Sequence, residues 1–175
     1  MTKPALARAI RQVAYLTGTF RLRSGQTSSF YWDKYRFESD PHLLSAIAAE
    51  LEALLPQSPF DKLAGLELGG VPLATALSLR TGKPCVFVRK MAKDYGTMNI
   101  VEGGFEPGDH VVVVEDVITT AGQVVASVGQ MRQLGLKIDQ VLCAIDRQQG
   151  GREKLEAIDC SLRSVFTMEE LDRLA

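Results

Sequence analysis

The chain has 175 residues, of which 46% are hydrophobic and 23% charged, and 20 Lys and Arg against 21 Asp and Glu give a net charge of −1. This composition is that of one globular domain and excludes disordered, collagen-like and coiled-coil proteins. The longest aliphatic stretch, residues 111–114, is far shorter than the roughly 20 residues that span a bilayer, and no apolar signal sequence is visible at the N-terminus, so we expect a cytoplasmic protein. Three widely spaced cysteines, Cys85, Cys143 and Cys160, indicate buried thiols rather than a disulfide or zinc framework.

The near-neutral total conceals two basic segments. Residues 1–36 carry seven Lys and Arg against Asp33, a net charge of +6, and residues 80–94 carry five against Asp94, a net charge of +4. The other 124 residues therefore sum to −11. This segregation indicates a locally positive site for a polyanion on a neutral body, although solvated surface charge is an equally good alternative from the counts alone.

In chain order, the first predicted element is a helix over residues 5–16, whose apolar side chains recur at helical spacing. A short strand pair, residues 20–22 and 29–32, follows around a turn. Asp40 then caps a second helix that runs to about Leu55. These elements predict a small N-terminal hood of helix and short strands.

From residue 62 the pattern alternates strands with helices, and a long polar segment follows the second strand. Strands are predicted over residues 63–68, 85–88, 111–114, 140–145 and 162–166. They are rich in Val and Ile without polar alternation, which indicates a parallel sheet flanked by helices on both faces. We therefore expect a single α/β domain, with the hood over residues 1–60 and the core over residues 61–175. Ligands bind such sheets beyond the carboxyl ends of the strands.

The strongest chemical signal is residues 111–123, which read VVVVEDVITTAGQ. A buried strand ends in two carboxylates, Glu115 and Asp116, and a loop of small residues then enters a helix. Hydroxyls and free N–H groups at a helix start bind phosphate, and carboxylates accept hydrogen bonds from sugar hydroxyls. The spacing is neither that of a Walker A loop nor that of a dinucleotide fingerprint. A plain strand-to-helix turn with solvated acids is the alternative, and it accounts poorly for the whole string.

This string resembles the phosphoribosyl pyrophosphate (PRPP) signature of the type I phosphoribosyltransferases, in the form found in orotate phosphoribosyltransferases. Residues 20–28 (FRLRSGQTS) are similar to the family's N-terminal segment, 65–74 (GLELGGVPLA) to its pyrophosphate loop and 88–96 (VRKMAKDYG) to its mobile catalytic loop. The resemblance spans residues 20–147. It implies the type I phosphoribosyltransferase fold, transfer of ribose 5-phosphate from PRPP to orotate, and a homodimer in which the 90–104 loop reaches the neighbouring active site.

The resemblance also implies roles for individual residues. The expected catalytic residues are Lys90, Lys93 and Asp116. The expected PRPP contacts are Arg23, Arg89, Lys90, Lys93, Tyr95, Glu115, Asp116, Val117, Ile118, Thr119, Thr120, Ala121, Gly122 and Gln123. The expected orotate contacts are Thr119, Arg147, Tyr31 and Trp32, and the pyrophosphate loop contains Gly69, Gly70 and Val71. The implied Mg²⁺ is expected mainly on PRPP and pyrophosphate oxygens, because no dedicated cluster of metal ligands is visible.

The chemistry of these residues supports the roles. Cations that follow a strand end can neutralise a departing pyrophosphate, and the guanidinium of Arg147 can grip a carboxylate through two parallel hydrogen bonds. Each segment taken alone also fits a structural role without substrate binding. These roles are a solvated basic loop, a structural Gly-Gly turn, and a surface ion pair between Asp146 and Arg147.

One position departs from the family pattern. Tyr95 stands where the family usually has His, and a Tyr can donate a hydrogen bond but carries no positive charge at neutral pH. Two other functions remain open: a phosphoribosyltransferase for a purine base, which would need no acid-reading Arg147, and a non-catalytic PRPP-sensing regulator, which would show a larger basic face. Residues that receive no role are Arg11, Lys34, His42 and His110.

Overall fold

The computed structural model describes residues 1–21, 25–91 and 100–174. The N-terminal elements are α1 (Lys3–Ala14), β1 (Tyr15–Arg21), β2 (Thr27–Trp32), α2 (Tyr35–Glu38) and α3 (Pro41–Ala53). The elements that follow are β3 (Lys62–Leu66), α4 (Gly70–Thr81), β4 (Cys85–Val88), β5 (Val101–Glu102), β6 (Val111–Ile118), α5 (Gly122–Gln133), β7 (Gln140–Asp146), α6 (Gly151–Glu156), β8 (Ser161–Thr167) and α7 (Met168–Leu174).

Six strands form the central sheet in the order β5-β4-β3-β6-β7-β8. Neighbouring strands are parallel except β4 and β5, which pair antiparallel. The chain runs from β3 outward to β4 and β5 and then returns to β6 on the other side of β3. The strand order therefore reverses between β3 and β6, and ligands bind parallel sheets at such a switch point.

Helices bury both faces of the sheet. Val112 and Val114 lie in a hydrophobic cluster with residues of α1, α3 and α4, whereas Val111 and Val113 lie in a second cluster with residues of α5. Successive side chains of a strand point to opposite faces, so an unbroken run of valines serves two hydrophobic layers. The predicted α/β architecture with helices on both faces is confirmed.

The hairpin of β1 and β2 sets the end of the first helix. Helix α1 ends at Ala14 rather than at the predicted Leu16, because Tyr15 and Leu16 pair with residues of β2. The ring of Tyr15 stacks on Phe30 with 5.3 Å between centroids. Such cross-strand aromatic pairs stabilise a two-stranded ribbon and compete with the last helical turn.

Strand β6 is longer than predicted. It continues past Val114 to Ile118, so Glu115 and Asp116 lie within the strand and not after it. The strand continues because β7 pairs alongside it, with Glu115 opposite Cys143. Hydrogen bonding to a neighbour therefore overrides the local preference of charged residues for strand ends.

Three short elements had no prediction. Helix α2 is a single turn and α7 spans two turns, so neither shows a clear helical period. Strand β5 lies in the segment predicted as polar loop, where its two residues pair with Phe87 and Val88 of β4.

The cysteines are free thiols, of which Cys143 and Cys160 are buried and Cys85 is half-buried. The prediction of core thiols is therefore confirmed for two of the three. Within the described residues, no helix is both long enough and apolar enough to cross a membrane.

Candidate active site

A cavity of about 400 Å³ opens at the switch point between β3 and β6. The turn after β3 and the cavity-facing end of β6 form two of its walls. Its lining residues are Lys34, Tyr35, Glu67, Leu68, Lys90, Glu115, Asp116, Val117, Ile118, Thr119, Thr120, Ala121, Gly122, Gln123 and Val124. The structure thus brings the whole 115–123 segment singled out in the sequence to one cavity, at the predicted edge of the sheet.

The loop from β6 to α5 presents a helix start to the cavity. Ala121 precedes the helix with a left-handed φ of 55°, and no side chain caps the first turn. A Cβ placed on Gly122 would meet no atom within 4 Å, so the space beside the helix start is open. The first N–H groups of a helix have no partner inside it, and they favour an anion.

Two adjacent acids differ in burial at the cavity wall. Asp116 is fully buried, whereas Glu115 is half-buried. The backbone N–H of Asp116 donates to Oε1 of Glu115 at 2.9 Å. The Nζ of Lys34 lies 2.5 Å from Oδ2 of Asp116, and the backbone N–H of Val117 donates to its Oδ1. Asp116 is therefore held on both oxygens.

The acids at this wall of the cavity differ in the direction of their pKa shifts. Burial, followed by the charge of Asp116, raises the pKa of Glu115 well above its ordinary value. Burial alone would also raise the pKa of Asp116, but hydrogen bonds from Glu38 and Glu115 and the charge of Lys34 lower it below the ordinary value. Burial and then Asp116 raise the pKa of Glu38 to about 9. At neutral pH Asp116 is therefore ionised beside Lys34, and Glu38 is neutral.

The glycines of the turn after β3 serve close packing. Gly69 and Gly70 are buried, and a Cβ on Gly69 would lie 1.6 Å from Oδ2 of Asp116. A Cβ on Gly70 would lie 2.3 Å from the carbonyl oxygen of Val114. The start of α4 can therefore approach β6 only because both residues lack side chains. Val71 is half-buried and lines a neighbouring cleft.

The exposed members of this turn are the ones that reach the main cavity. Glu67 and Leu68 are joined by a cis peptide bond, and both line the cavity. Lys90 lies opposite them, and its backbone N–H donates to Oε2 of Glu67 at 3.0 Å. The turn and the start of the basic segment thus face the same space.

The predicted basic residues do not all reach this cavity. Lys90 lines it, whereas Nε of Arg89 donates to Oε1 of Glu102 at 3.0 Å and Arg89 lines the neighbouring cleft of about 260 Å³. Three residues with predicted roles, Arg23, Lys93 and Tyr95, lie outside the described residues.

The predicted orotate residues are spread around the site. Thr119 lines the cavity. The backbone N–H of Arg147 donates to the carbonyl of Ile118 at 2.8 Å, so the backbone of Arg147 lies next to the residue that precedes Thr119. The side chain of Arg147 is exposed and does not line the cavity. Tyr31 is exposed and contacts the ring of Phe20, and Trp32 packs against the core near Tyr15. The structure does not bring these two aromatic rings to the cavity.

Sequence reasoning missed several residues of this site. Lys34 was given no role, and Tyr35, Glu67, Leu68 and Glu38 were not singled out. The excess of basic residues over 1–36 was the available signal for Lys34, because it marked that segment as part of an anion site. No spacing pattern links Glu38 to Asp116, since they meet only through the fold.

Comparisons with known proteins identify the family. No family model matches the chain. An orotate phosphoribosyltransferase from Nocardioides sp. is 48% identical over 167 residues, which cover 95% of this chain and 93% of the relative. Another from Methanocella arvoryzae is 43% identical over 154 residues, which cover 88% of this chain and 87% of the relative.

Solved structures agree with these relatives. The crystal structure of orotate phosphoribosyltransferase from Aeropyrum pernix is 34% identical, with a TM-score of 0.83 and 96% of each chain covered. The Mycobacterium tuberculosis H37Rv orotate phosphoribosyltransferase in complex with PRPP is 27% identical, with a TM-score of 0.83 and coverage of 97% of this chain and 98% of that one. The predicted fold and the predicted resemblance are confirmed, and the chain belongs to the orotate phosphoribosyltransferase family.

Proposed function

We propose that the chain transfers the ribose 5-phosphate group of PRPP to N1 of orotate, which gives orotidine 5′-monophosphate and pyrophosphate in UMP synthesis. The bond from C1 of the ribose to the pyrophosphate oxygen breaks, a bond from C1 to N1 of orotate forms, and N1 gives up its proton. The observation that carries the proposal is the cavity between β3 and β6, where the uncapped start of α5 lies beside ionised Asp116. Family membership supports PRPP and orotate as the substrates.

The start of α5 is the proposed site of the 5′-phosphate. No side chain caps its first turn, Thr119 and Thr120 line the cavity beside it, and Gly122 leaves room for close approach. Donors fixed by a helix need no rearrangement when the phosphate arrives. This end of PRPP is thereby held while its C1 reacts.

The acids of β6 are the proposed contacts of the ribose. An ionised Asp116 accepts hydrogen bonds from sugar hydroxyls, and the carboxyl group of Glu115, whose pKa is raised, lines the same cavity. Positive charge develops on the ribose as pyrophosphate leaves, and a fixed carboxylate stabilises it. We therefore propose Asp116 as a catalytic residue.

The basic segment after β4 is the proposed partner of the leaving pyrophosphate. Lys90 lines the cavity, and Lys93 and Tyr95 follow it in the sequence. Arg89 would have to leave Glu102 to take part, because their side chains are bonded in the described conformation. Cations placed at the departing oxygens stabilise the transition state more than the bound substrate, so they raise kcat.

Mg²⁺ is proposed as a cofactor held by oxygens of PRPP and pyrophosphate. Among the described residues, no group of three or more His, Cys, Asp and Glu side chains could hold a metal ion. The residues present therefore fit a cation carried by the substrate, a common arrangement for Mg²⁺ on phosphates. When bound, Mg²⁺ neutralises charge on the pyrophosphate.

A homodimer and a cytoplasmic location complete the proposal. The backbone N–H of Arg89 donates to the carbonyl of Ile100 at 2.8 Å, so the described residues before and after 92–99 lie next to each other. Long segments with adjacent ends often act as lids. We propose that this one reaches the active site of the neighbouring subunit. The free thiols of the chain agree with a reducing compartment.

A panel of bases tests the proposed reaction. The chain is incubated with PRPP, Mg²⁺ and either orotate, uracil, hypoxanthine, xanthine or adenine, and pyrophosphate release is followed. We expect release with orotate alone, with a loss of about 100-fold in Asp116→Asn because a transition-state contact is removed. Asp139→Asn, which alters an exposed partner of His110, is the matched control. Pyrophosphate release with a purine base but not with orotate would contradict orotate as the substrate.

A further inference from the structure

Glu38 is a buried acid that the proposed mechanism does not use. It belongs to α2, and only 5% of the residue is exposed. Its Oε1 accepts no hydrogen bond from any residue that the structure describes. Because an unpartnered buried polar atom costs free energy, its surroundings need an explanation.

Glu38 shares one neighbour, Asp116, with Lys34. The carboxyl groups of Glu38 and Asp116 both border the backbone of Gly69, and Nζ of Lys34 lies 2.5 Å from Oδ2 of Asp116. Lys34 directly precedes the single turn of α2 and Glu38 is its last residue, so the two are four residues apart and share one face of it. Phe37 is fully buried in the core and anchors that turn. Both side chains thus reach Asp116 from one fixed element.

The backbone of Gly69 confines the same carboxylate from another side. A Cβ on Gly69 would lie 1.6 Å from Oδ2 of Asp116 and 2.9 Å from Oε1 of Glu38. The two acids therefore meet against bare backbone, with no room for a side chain between them. Asp116 is enclosed by α2 and by the turn after β3.

The contact between the carboxyl groups of Glu38 and Asp116 requires that one of them carries a proton. Two acids in contact inside a protein cannot both be ionised, because their charges repel and are poorly solvated. Burial and then Asp116 raise the pKa of Glu38 to about 9, so Glu38 is neutral at pH 7 and can donate to Asp116. Burial alone would lower the pKa of the Lys34 amine. The neighbouring Asp116 outweighs burial, so this pKa is raised above its ordinary value.

We propose that Glu38 and Lys34 are positioning residues that act through Asp116, Lys34 from the cavity side and Glu38 from the buried side. Together they fix one carboxylate orientation toward the ribose of PRPP. The proposal rests on the proposed function, because it takes PRPP as the ligand. Neither role is visible from sequence spacing, since both depend on the fold bringing Lys34 and Glu38 next to Asp116.

A double-mutant cycle separates positioning from a merely structural effect. The dissociation constant for PRPP with Mg²⁺ is measured by calorimetry for Glu38→Leu, Glu38→Gln and Asp116→Asn, and for Glu38→Leu combined with Asp116→Asn. We expect Glu38→Leu to weaken binding about tenfold, and Glu38→Gln, which keeps a donor, to stay within about twofold of wild type. In the Asp116→Asn background, Glu38→Leu should cause no further loss. Glu52→Gln, at an exposed pair with Arg80, is the control.

Three results would overturn the proposal: equal binding by the Leu and Gln variants, an undiminished loss from Glu38→Leu in the Asp116→Asn background, or a wild-type chain that does not bind PRPP. Thermal melts show whether each variant folds. If Glu38→Leu does not fold, the same cycle with Lys34→Met and Lys34→Arg decides, because Lys34 is partly exposed and its replacement leaves no buried void. Pyrophosphate release with orotate is measured in parallel. If PRPP binding follows the expected cycle but no pyrophosphate is released, only the proposed reaction is contradicted.

Discussion

Gly69 marks the tightest contact between the turn after β3 and the acids of the cavity. An added methyl group would overlap Oδ2 of Asp116 and press on Glu38, and both belong to buried backbone elements. We expect Gly69→Ala to lower the free energy of unfolding by about 3 kcal/mol, because overpacking a filled interior forces backbone shifts. Denaturant titration measures this loss. Pyrophosphate release should fall as well, since Asp116 is displaced.

Gly129 provides the matched control for that exchange. It is exposed in the interior of α5, and a Cβ there would meet no atom within 4 Å. Gly129→Ala should therefore stabilise the chain by about 0.5–1 kcal/mol, through helix propensity alone. Equal effects of the two substitutions would contradict the packing account of Gly69.

Glu38 gives stability a dependence on pH. Its pKa lies at about 9 in the folded chain against an ordinary value of 4.5, so between these values the folded state binds more protons than the unfolded state. The contribution is complete below about pH 4.5 and is lost as the pH rises through 9. Glu38→Gln cannot titrate. We therefore expect its free energy of unfolding, relative to wild type, to rise between pH 5 and pH 9, as measured by denaturant titration at constant ionic strength.

The neighbouring acids do not reverse this sign. The pKa of Glu115 is also raised, but this acid is present in both chains and contributes to both. The pKa of Asp116 is lowered, so its contribution is lost only in acid, outside the tested range. A difference between Glu38→Gln and wild type that stays constant from pH 5 to pH 9 would show that Glu38 is ionised in the folded chain.

At the scale of elements, the turn from β7 to α6 presents Arg147. Asp146 is 1% exposed, and its Oδ1 accepts the backbone N–H of Gln148 at 2.8 Å while Oδ2 accepts from Nη2 of Arg152 at 3.2 Å. Arg152→Ala leaves a buried acid without its cation and loosens the turn. We expect KM for orotate to rise about tenfold, with KM for PRPP within about twofold of wild type.

The exposed pair of Arg80 and Glu52 provides the comparison. Arg80→Ala removes a surface contact far from the turn, and surface pairs contribute about 0–1 kcal/mol. It should leave both KM values unchanged. If Arg152→Ala raised the two KM values equally, the turn would support the whole cavity and not the orotate side alone.

Elements were predictable where one physical signal dominated. The valine run of β6 and the Asp40 cap of α3 were predicted because burial and capping act locally. The continuation of β6 through Glu115 was not, since it depends on pairing with β7. The single turn α2 carries Lys34 and Glu38 to Asp116, and a turn of four residues has no period to detect.

For the whole molecule, charge distribution was the most informative sequence property. The two basic segments bring Lys34 and Lys90 to one cavity, where they face the acids of β6. Charge counts predicted an anion site but could not separate these lysines from Arg11, which pairs with Asp172 on the surface, or from Arg89, which pairs with Glu102. The fold, and not the charge count, decides which basic residues of a segment reach the cavity.

The proposed dimer makes a prediction that only the assembled molecule can satisfy. Lys93→Ala impairs the 90–104 loop and Asp116→Asn impairs the cavity, so each variant alone should be nearly inactive. If the loop of one subunit serves the cavity of the other, a mixed dimer has one site with both defects and one site with neither. After subunit exchange in an equal mixture, we expect pyrophosphate release at about a quarter of the wild-type rate, because half of the dimers are mixed and half of their sites are intact.

The opposite outcome is equally clear in this experiment. A loop that serves its own subunit leaves every site of a mixed dimer with one defect, so the mixture would release pyrophosphate only at the average of the separate variants. Size-exclusion chromatography of each variant shows whether dimers form at all. Mixing Asp116→Asn with Lys90→Ala is the matched control, because both residues line the same cavity and no exchange of subunits can create an intact site from them.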